Sequence, residues 1–374
     1  MKIIQLTAFF LPVEGGMEQH VLNLCRELQK NNHSVEVICS DSMREGTIFI
    51  KKEKIQGIKI TRYKTFWNIT KLSKIFPGFI FDLFKKDYDL LHVHSYRQPY
   101  TLMGLIVAKL MKKKCIITTH CPLHQKGTRS RGTYFLAVLY DRIFGKIASK
   151  FNHIIGIANE EISFFSRYGI NNKKITIIPN GITKKEFKIG NRQEFRKKYK
   201  IKKNDFVALF TGRIHKTKGL QNLKYAVDNL PKIKFVFAGL NDGYMNYLKK
   251  MYCKNKNVIF TGKIDHLKMP NAYAAADIFI LPSDYEPFGI SLLEAMAQRL
   301  PIISTNQGGP VDFITKDFGF LINPKNQKEW FNLINYLLKN PKKRKKMGKY
   351  AKKEAENYLW TNIGKKIIKV YETC

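Results

Sequence analysis

Apolar residues along this chain gather in short runs of four to six, and between the runs they recur every three or four positions. Short runs bounded by turn residues read as buried strands, and the wider spacing reads as amphipathic helix. In the first half, residues 2–6, 34–39, 90–94, 115–119 and 153–158 predict strands, with two of the intervening helices over 18–30 and 101–113. The run 175–178 then stops at Pro179-Asn180-Gly181, a turn signal. The pattern restarts with strands predicted at 206–211, 234–238, 258–261, 278–281 and 301–304, and a helical tail over 349–371. Strand and helix alternating throughout predict an α/β protein of parallel layers.

A length of 374 residues is too great for one ordinary core and suits two. The boundary is expected in the polar, glycine-containing stretch 179–188, where few packed contacts need cross. Residues 1–183 and 184–355 are therefore expected as two α/β domains, followed by a terminal helix over 356–374. Two open sheets facing each other would align the carboxyl ends of their strands along a shared cleft, where chemistry is to be sought.

Composition changes this picture in one respect. The chain carries 66 Lys+Arg against 29 Asp+Glu, a formal charge of +37, more than solubility requires. That balance suggests an anionic partner: a phosphate-bearing substrate, anionic lipid or nucleic acid. Residues 62–150 alone hold +13, whereas the lysine runs at 184–203 and 339–353 read as solvated helix faces. The six cysteines form no C-x-x-C pair and no regular spacing, so neither a disulfide framework nor a zinc site is indicated and a reducing cytosol fits. The opening MKIIQLTAFFLPVEGG is interrupted by Gln5 and Thr7, and reads as a first strand entering a glycine loop instead of a secretion signal. No segment approaches the roughly 20 apolar residues of a membrane-crossing helix. The protein is expected in the cytoplasm, either free or peripheral on a membrane face.

Five motifs carry candidate chemistry. Gly15-Gly16-Met17-Glu18 lies between a strand and a helix, where backbone N–H groups approach an anion closely. In TGRIHKTKG, Arg213 and Lys218 sit beside flexible glycines after a strand, which suits a diphosphate, although the P-loop pattern is absent. SDYEPFGISLLEAMAQRLP is the strongest signal: Glu286 lies in a Pro-Phe-Gly loop and Glu294 about one turn inside the helix that follows. The N–H groups of Phe288, Gly289 and Ile290 would meet a phosphate there, while the two carboxylates accept hydrogen bonds from sugar hydroxyls. Asn306-Gln307-Gly308-Gly309 makes another glycine loop aimed at the same edge. His120 ends a strand, with His92, His94 and His124 crowding the same edge, at a spacing that does not place three ligands round one metal. Asp87-Tyr88-Asp89 precedes its strand instead of following it and is read as a chance match to a metal-binding D-x-D.

Taken in order, these pieces resemble glycosyltransferase family 4, retaining enzymes of the GT-B fold, in which two Rossmann-like α/β/α domains face each other across a cleft. The resemblance spans Gly15-Gly16-x-Glu18, His120, Ile178-Pro179-Asn180-Gly181, Gly212-Arg213 with Lys218-Gly219, Glu286-x7-Glu294 with Phe288-Gly289, and Gly308-Gly309. It implies that Arg213 and Lys218 hold the donor diphosphate, Glu294 the ribose hydroxyls, and Glu286 with the Phe288–Gly289 backbone the transferring sugar. The base would rest near Gly262, Lys263 and Ile264, His120 would face the sugar, and Gly16 would close the first domain over phosphate or acceptor. Trp360 looks like the family's tail, which crosses back to the first domain. Asp312 stands where a glutamate is usual, and Cys121 where many relatives carry an acid.

The implied reaction moves a hexose from a nucleoside-diphosphate sugar to a saccharide or lipid-linked acceptor, with retention and with no cofactor or metal. Fixed cations and helix N–H groups would stabilise the departing diphosphate. Residues 66–76 mix aromatics and lysines at helix-like spacing, so the basic first domain would rest on anionic lipid, or the same segment is a packed amphipathic helix. Two other readings of the whole chain are a sugar-nucleotide epimerase of the same architecture and a noncatalytic nucleotide-sugar-binding subunit. No nucleic-acid-reading motif is present.

Overall fold

The computed structural model describes residues 1–13, 15–43, 46–69, 73–123 and 131–374, with only the backbone at 131 and 133. It divides into two compact units, Met1–Asn180 with Trp360–Cys374, and Gly181–Leu359. The join thus falls three residues before the expected 183, and residues 356–359 stay with the second unit. The reason is local: Ile182 N donates to Tyr358 O, and Ile182 bridges Leu359, so the outgoing and returning chains pair within that unit.

The first unit is built on strands β1 (Lys2–Leu6), β2 (Ser34–Ser40), β3 (Lys52–Ile55), β4 (Ile58–Tyr63), β7 (Leu90–His94), β8 (Lys114–Thr118), β9 (His153–Gly156) and β10 (Ile175–Ile177), with a small hairpin of β5 (Trp67–Asn68) and β6 (Lys74–Ile75) outside the sheet. The sheet runs β10-β9-β8-β7-β1-β2-β4-β3, parallel except for β3 at the edge. Its helices are α1 (Gly16–Lys30), α2 (Phe79–Lys85), α3 (Pro99–Leu110), α4 (Arg131–Phe144) and α5 (Glu160–Ser166). Apolar side chains leave both faces of the central strands, so the sheet has two cores. On one face α1 packs through Val21, Leu24 and Leu28 with the returning terminal helix, whose Trp360, Ile363 and Ile367 are buried.

The second unit has strands β11 (Phe206–Thr211), β12 (Ile233–Ala238), β13 (Val258–Gly262), β14 (Ile278–Leu281), β15 (Ile302–Thr305) and β16 (Gly319–Ile322), all parallel, in the order β13-β12-β11-β14-β15-β16. That is the doubly wound order of a dinucleotide-binding fold. Its helices are α6 (Arg192–Lys198), α7 (Lys224–Asn229), α8 (Met245–Met251), α9 (Met269–Ala275), α10 (Ile290–Ala297), α11 (Gln327–Lys339) and α12 (Pro341–Ala355), and the chain ends in α13 (Trp360–Thr373) of the first unit. Both units are Rossmann-like.

Two expectations are corrected. The described residues of 66–76, 66–69 and 73–76, pair as the β5–β6 hairpin, not a helix: Phe66 N donates to Ile75 O, and Ile69 N to Ser73 O. Aromatic and β-branched residues favour that pleated surface, and Lys74, expected outside, is buried over the Phe9 ring. The tail 349–371 is two helices, α12 and α13, broken where Leu359 turns extended. Asp87 and Asp89 lie at the amino end of β7, bound to Lys2, far along the strand from its ligand-binding edge. Among the described residues, no helix is long and apolar enough to cross a membrane.

Candidate functional site

An open α/β sheet accepts ligands at the carboxyl ends of the two strands where its winding reverses. In the second unit those strands are β11 and β14. Arg213 lies two residues past β11, half-exposed and paired with Asp242. Lys218 closes a short turn after it, and its Nζ stands 2.7 Å from Glu286 Oε2 in the loop after β14. Residues 68 apart in sequence meet because Gly219 seats one loop on the other. Its φ is +68°, and a Cβ there would stand 1.8 Å from Pro282 O.

Glu286 is held from both sides. Its N–H donates to Gln307 O and its carbonyl accepts from Gly309 N, while a Cβ on Gly308, at φ +89°, would strike Glu286 O at 2.2 Å. The glycine loop after β15 is therefore a clamp on the acidic loop. The Glu286 side chain is buried and also accepts from Ser283 Oγ at 3.0 Å.

Glu294 lies one turn into α10. It accepts a hydrogen bond from Tyr273, whose hydroxyl lies 2.9 Å from Thr211 Oγ1 at the end of β11. Burial drives the Glu294 carboxyl above the usual carboxylate range, and the Tyr273 hydrogen bond opposes that shift. Phe288 turns its ring into the core, 5.2 Å from Phe313. Its backbone, with Gly289 as N-cap and Ile290 as first helical residue, forms the mouth of α10, whose leading N–H groups have no acceptor within the helix. Gly262 ends β13, and Gly239 N donates to its carbonyl while Gly212 N donates to Ala238 O, so the loops after β11, β12 and β13 are tied in series. Lys263 is exposed and Ile264 partly so.

In the first unit the winding reverses between β1 and β7. Gly16 opens α1 after β1, His94 ends β7, and His120 follows β8. Backbone at Ser95, His120 and Cys121 is left-handed, with φ of 79°, 51° and 64°. Each such residue costs of order 1–3 kcal/mol, which the surrounding packing must offset. His120 Nε2 lies 3.1 Å from His94 Nδ1, and the His20 ring stands edge-on to His120 with centroids 4.9 Å apart. His92 is not part of this group: it bonds Tyr371 of α13 and Thr118. His124 lies outside the described residues.

Sequence reasoning missed Tyr273, Asp242 and His20. Of the three only His20 had a signal, since it stands one helical turn after Gly16 on the same face.

The profile described as Glycosyltransferase Family 4 matches residues 14–186, and the one described as Glycosyl transferases group 1 matches 191–354. Over 394 aligned residues the chain is 28% identical to an uncharacterised glycosyltransferase of Methanocaldococcus jannaschii, spanning 100% of this chain and 98% of that one. It is 28% identical to the UDP-Gal:alpha-D-GlcNAc-diphosphoundecaprenol alpha-1,3-galactosyltransferase of Escherichia coli over 68% of each chain. Among solved structures, Anabaena HepE in complex with UDP-glucose shares the fold with a TM-score of 0.80 at 18% identity, over 100% of both chains. Two doubly wound units, matched in turn by the two profiles, make this chain a GT-B glycosyltransferase of the family 4 type.

Proposed function

We propose that the chain moves a hexose, with retention, from a nucleoside-diphosphate sugar to a saccharide or lipid-linked acceptor. The observation that carries this reading is the Lys218–Glu286 pair, flanked by Arg213 and the mouth of α10, at the reversal point of the second sheet. Arg213, Lys218 and the Phe288–Ile290 N–H groups take up the negative charge that grows on the departing diphosphate. Glu286 orients the hexose hydroxyls, Glu294 the ribose, and residues 262–264 the base; His120 and Gly16 act at the sugar and acceptor. No metal is required, because fixed cations do that work. The donor and diphospholipid acceptor named for the Escherichia coli relative, and the UDP-glucose held by HepE, support the substrate classes.

The test is a thermal-shift screen of UDP-, GDP- and ADP-sugars in EDTA, followed by NMR of the product's anomeric configuration. Stabilisation by one donor and an unchanged anomeric configuration are expected. An epimerised free nucleotide sugar as the sole product, or donor binding without any transfer or hydrolysis, would replace this reading with one of its two rivals.

A second observation favours a membrane-facing role for the first unit. Phe81 and Phe84 on α2, Ile106 and Leu110 on α3, and Phe135, Leu136, Leu139 and Ile143 on α4 are all exposed, within the stretch that carries +13. Exposed apolar residues among lysines suit an anionic bilayer surface. Flotation with anionic liposomes at low salt is the check; a chain left wholly in the unbound fraction contradicts it.

A further inference from the structure

The three imidazoles at the first unit's reversal point present more lone pairs to one another than protons. His20 Nδ1 lies 2.7 Å from Asn180 Oδ1, an acceptor, so the ring proton sits on Nδ1 and Nε2 holds a lone pair. His94 Nε2 lies 2.7 Å from Gln5 Oε1, whose amide nitrogen donates to Tyr371, so His94 keeps its proton on Nε2 and a lone pair on Nδ1. These tautomers follow from the partners on the far side of each ring. His120 Nε2, 3.1 Å from His94 Nδ1, can supply one proton to that lone pair. His20 Nε2 is then left over, in a residue that is 1% exposed, and it has no hydrogen-bond partner. The indole of Trp360, edge-on to His20 at 5.0 Å between centroids, is a donor whose Nε1 is also unpartnered, and it brings no lone pair to the group.

One ligand atom from each of these three rings lies within 4.8 Å of the others, and the rings are neutral because burial holds each below the ordinary imidazole value. Three nitrogens at about 2.0–2.1 Å from a tetrahedral zinc stand roughly 3.3 Å apart. The His94–His120 edge is already of that length, and the His20 edges need to close by no more than about 1.5 Å. The outer contacts are also those of a metal site: amide oxygens of Asn180 and Gln5 hold the remote ring N–H groups of His20 and His94, fixing tautomer and orientation.

We propose that His20 Nε2, His94 Nδ1 and His120 Nε2 bind a zinc-class divalent ion, with the fourth position open to water. On binding, His120 carries its proton on Nδ1 and no proton need leave the site. Resting on the reading of His120 as the sugar-facing imidazole, the ion removes that ring from the substrate. Zinc is therefore an inhibitor of a transfer that itself needs no metal.

The probe is cobalt(II), added to the full chain after dialysis against EDTA. One equivalent produces the visible d–d absorption of a four-coordinate centre, and zinc bleaches it. H20Q and H94Q abolish the band, and Asn180→Leu weakens cobalt binding roughly 10–100-fold. His33→Gln, which removes the imidazole 3.3 Å from the terminal amine, leaves it unchanged. Because a buried imidazole variant can fail to fold, the unsubstituted chain supplies a second readout: zinc raises its Tm and magnesium does not. No four-coordinate band together with no zinc-induced rise in Tm overturns the proposal, as does a band that survives in folded H20Q. Neither measurement uses a sugar donor, so its failure is separable from failure of the transferase reading.

Discussion

The two reversal points occupy the same place in the same winding and are electrically opposite. At the first, Gln5, His92, His94, His120 and Tyr371 bond to one another as neutral, mostly buried groups. At the second, Arg213 and Lys218 are already paired with Asp242 and Glu286, with side-chain exposures of 48% and 20%. A neutral network can be buried deeply because every ring finds a donor or acceptor; a charged one must stay near water or near its counter-charge. The contrast separates a rigid platform from a site whose cations can exchange a carboxylate partner for a phosphate.

The sharpest way to break the contrast is to remove a cation. Arg213→Ala is expected to lower turnover about 10²–10³-fold with little change in Tm, since the side chain is half-exposed, and steady-state kinetics with thermal melts check it. Glu294→Gln is expected to weaken donor binding by about 1.5–3 kcal/mol, roughly 10- to 100-fold, by calorimetry. Tyr273→Phe, which removes only the hydroxyl that donates to Glu294, should cost about 0.5–1.5 kcal/mol, roughly 2- to 10-fold. EDTA should leave turnover undiminished, and a full loss restored by manganese would reject the metal-free reading.

Acid sharpens the comparison from the other side. Burial holds His20 down at about 4 and His92, His94 and His120 well below 6.5. Groups depressed on folding contribute stability that is present above the unfolded value of 6.5 and is lost as pH falls toward the folded one. Glu161 in the first unit, which burial raises to about 7, and Glu294 in the second, which burial also raises, act oppositely, gaining stability as pH falls through that range, so the named imidazoles prevail only in the first unit. Hydrogen exchange at about pH 7.5 and about pH 5.5 should show α1 and β7 losing protection before α10 and β14.

How much of this was legible in the chain depended on how local the cause was. Lys2–Leu6, Leu90–His94, Phe206–Thr211 and Ile278–Leu281 match their predicted bounds because they are short, mostly apolar runs in which every position but Lys2 is buried. β4 was missed because Lys59, Thr61 and Arg62 break its run. Arg62 is nonetheless 1% exposed, its Nη groups held by Leu11 O, Ile50 O and Glu53 while Nε has no partner. The paired strands β5 and β6 were misread as helix because aromatic–lysine spacing fits a helix as well as a strand pair. In the site, Glu286, Glu294, Arg213 and Lys218 announced themselves through neighbouring glycines. Tyr273 and Asp242 did not, since their partnerships arise from strand order and not from spacing, and His20 was passed over although it stands one helical turn after Gly16.

The central claim is that the second reversal point grips a pyrophosphate-linked sugar. Calorimetric titration of UDP-, GDP- and ADP-sugars in EDTA, into the unsubstituted chain and into Arg213→Ala, tests it directly. One donor binding at a single site, at least about tenfold more weakly in the variant, is the expected result. Equal affinity in the unsubstituted chain and in Arg213→Ala, or no binding of any donor, contradicts it.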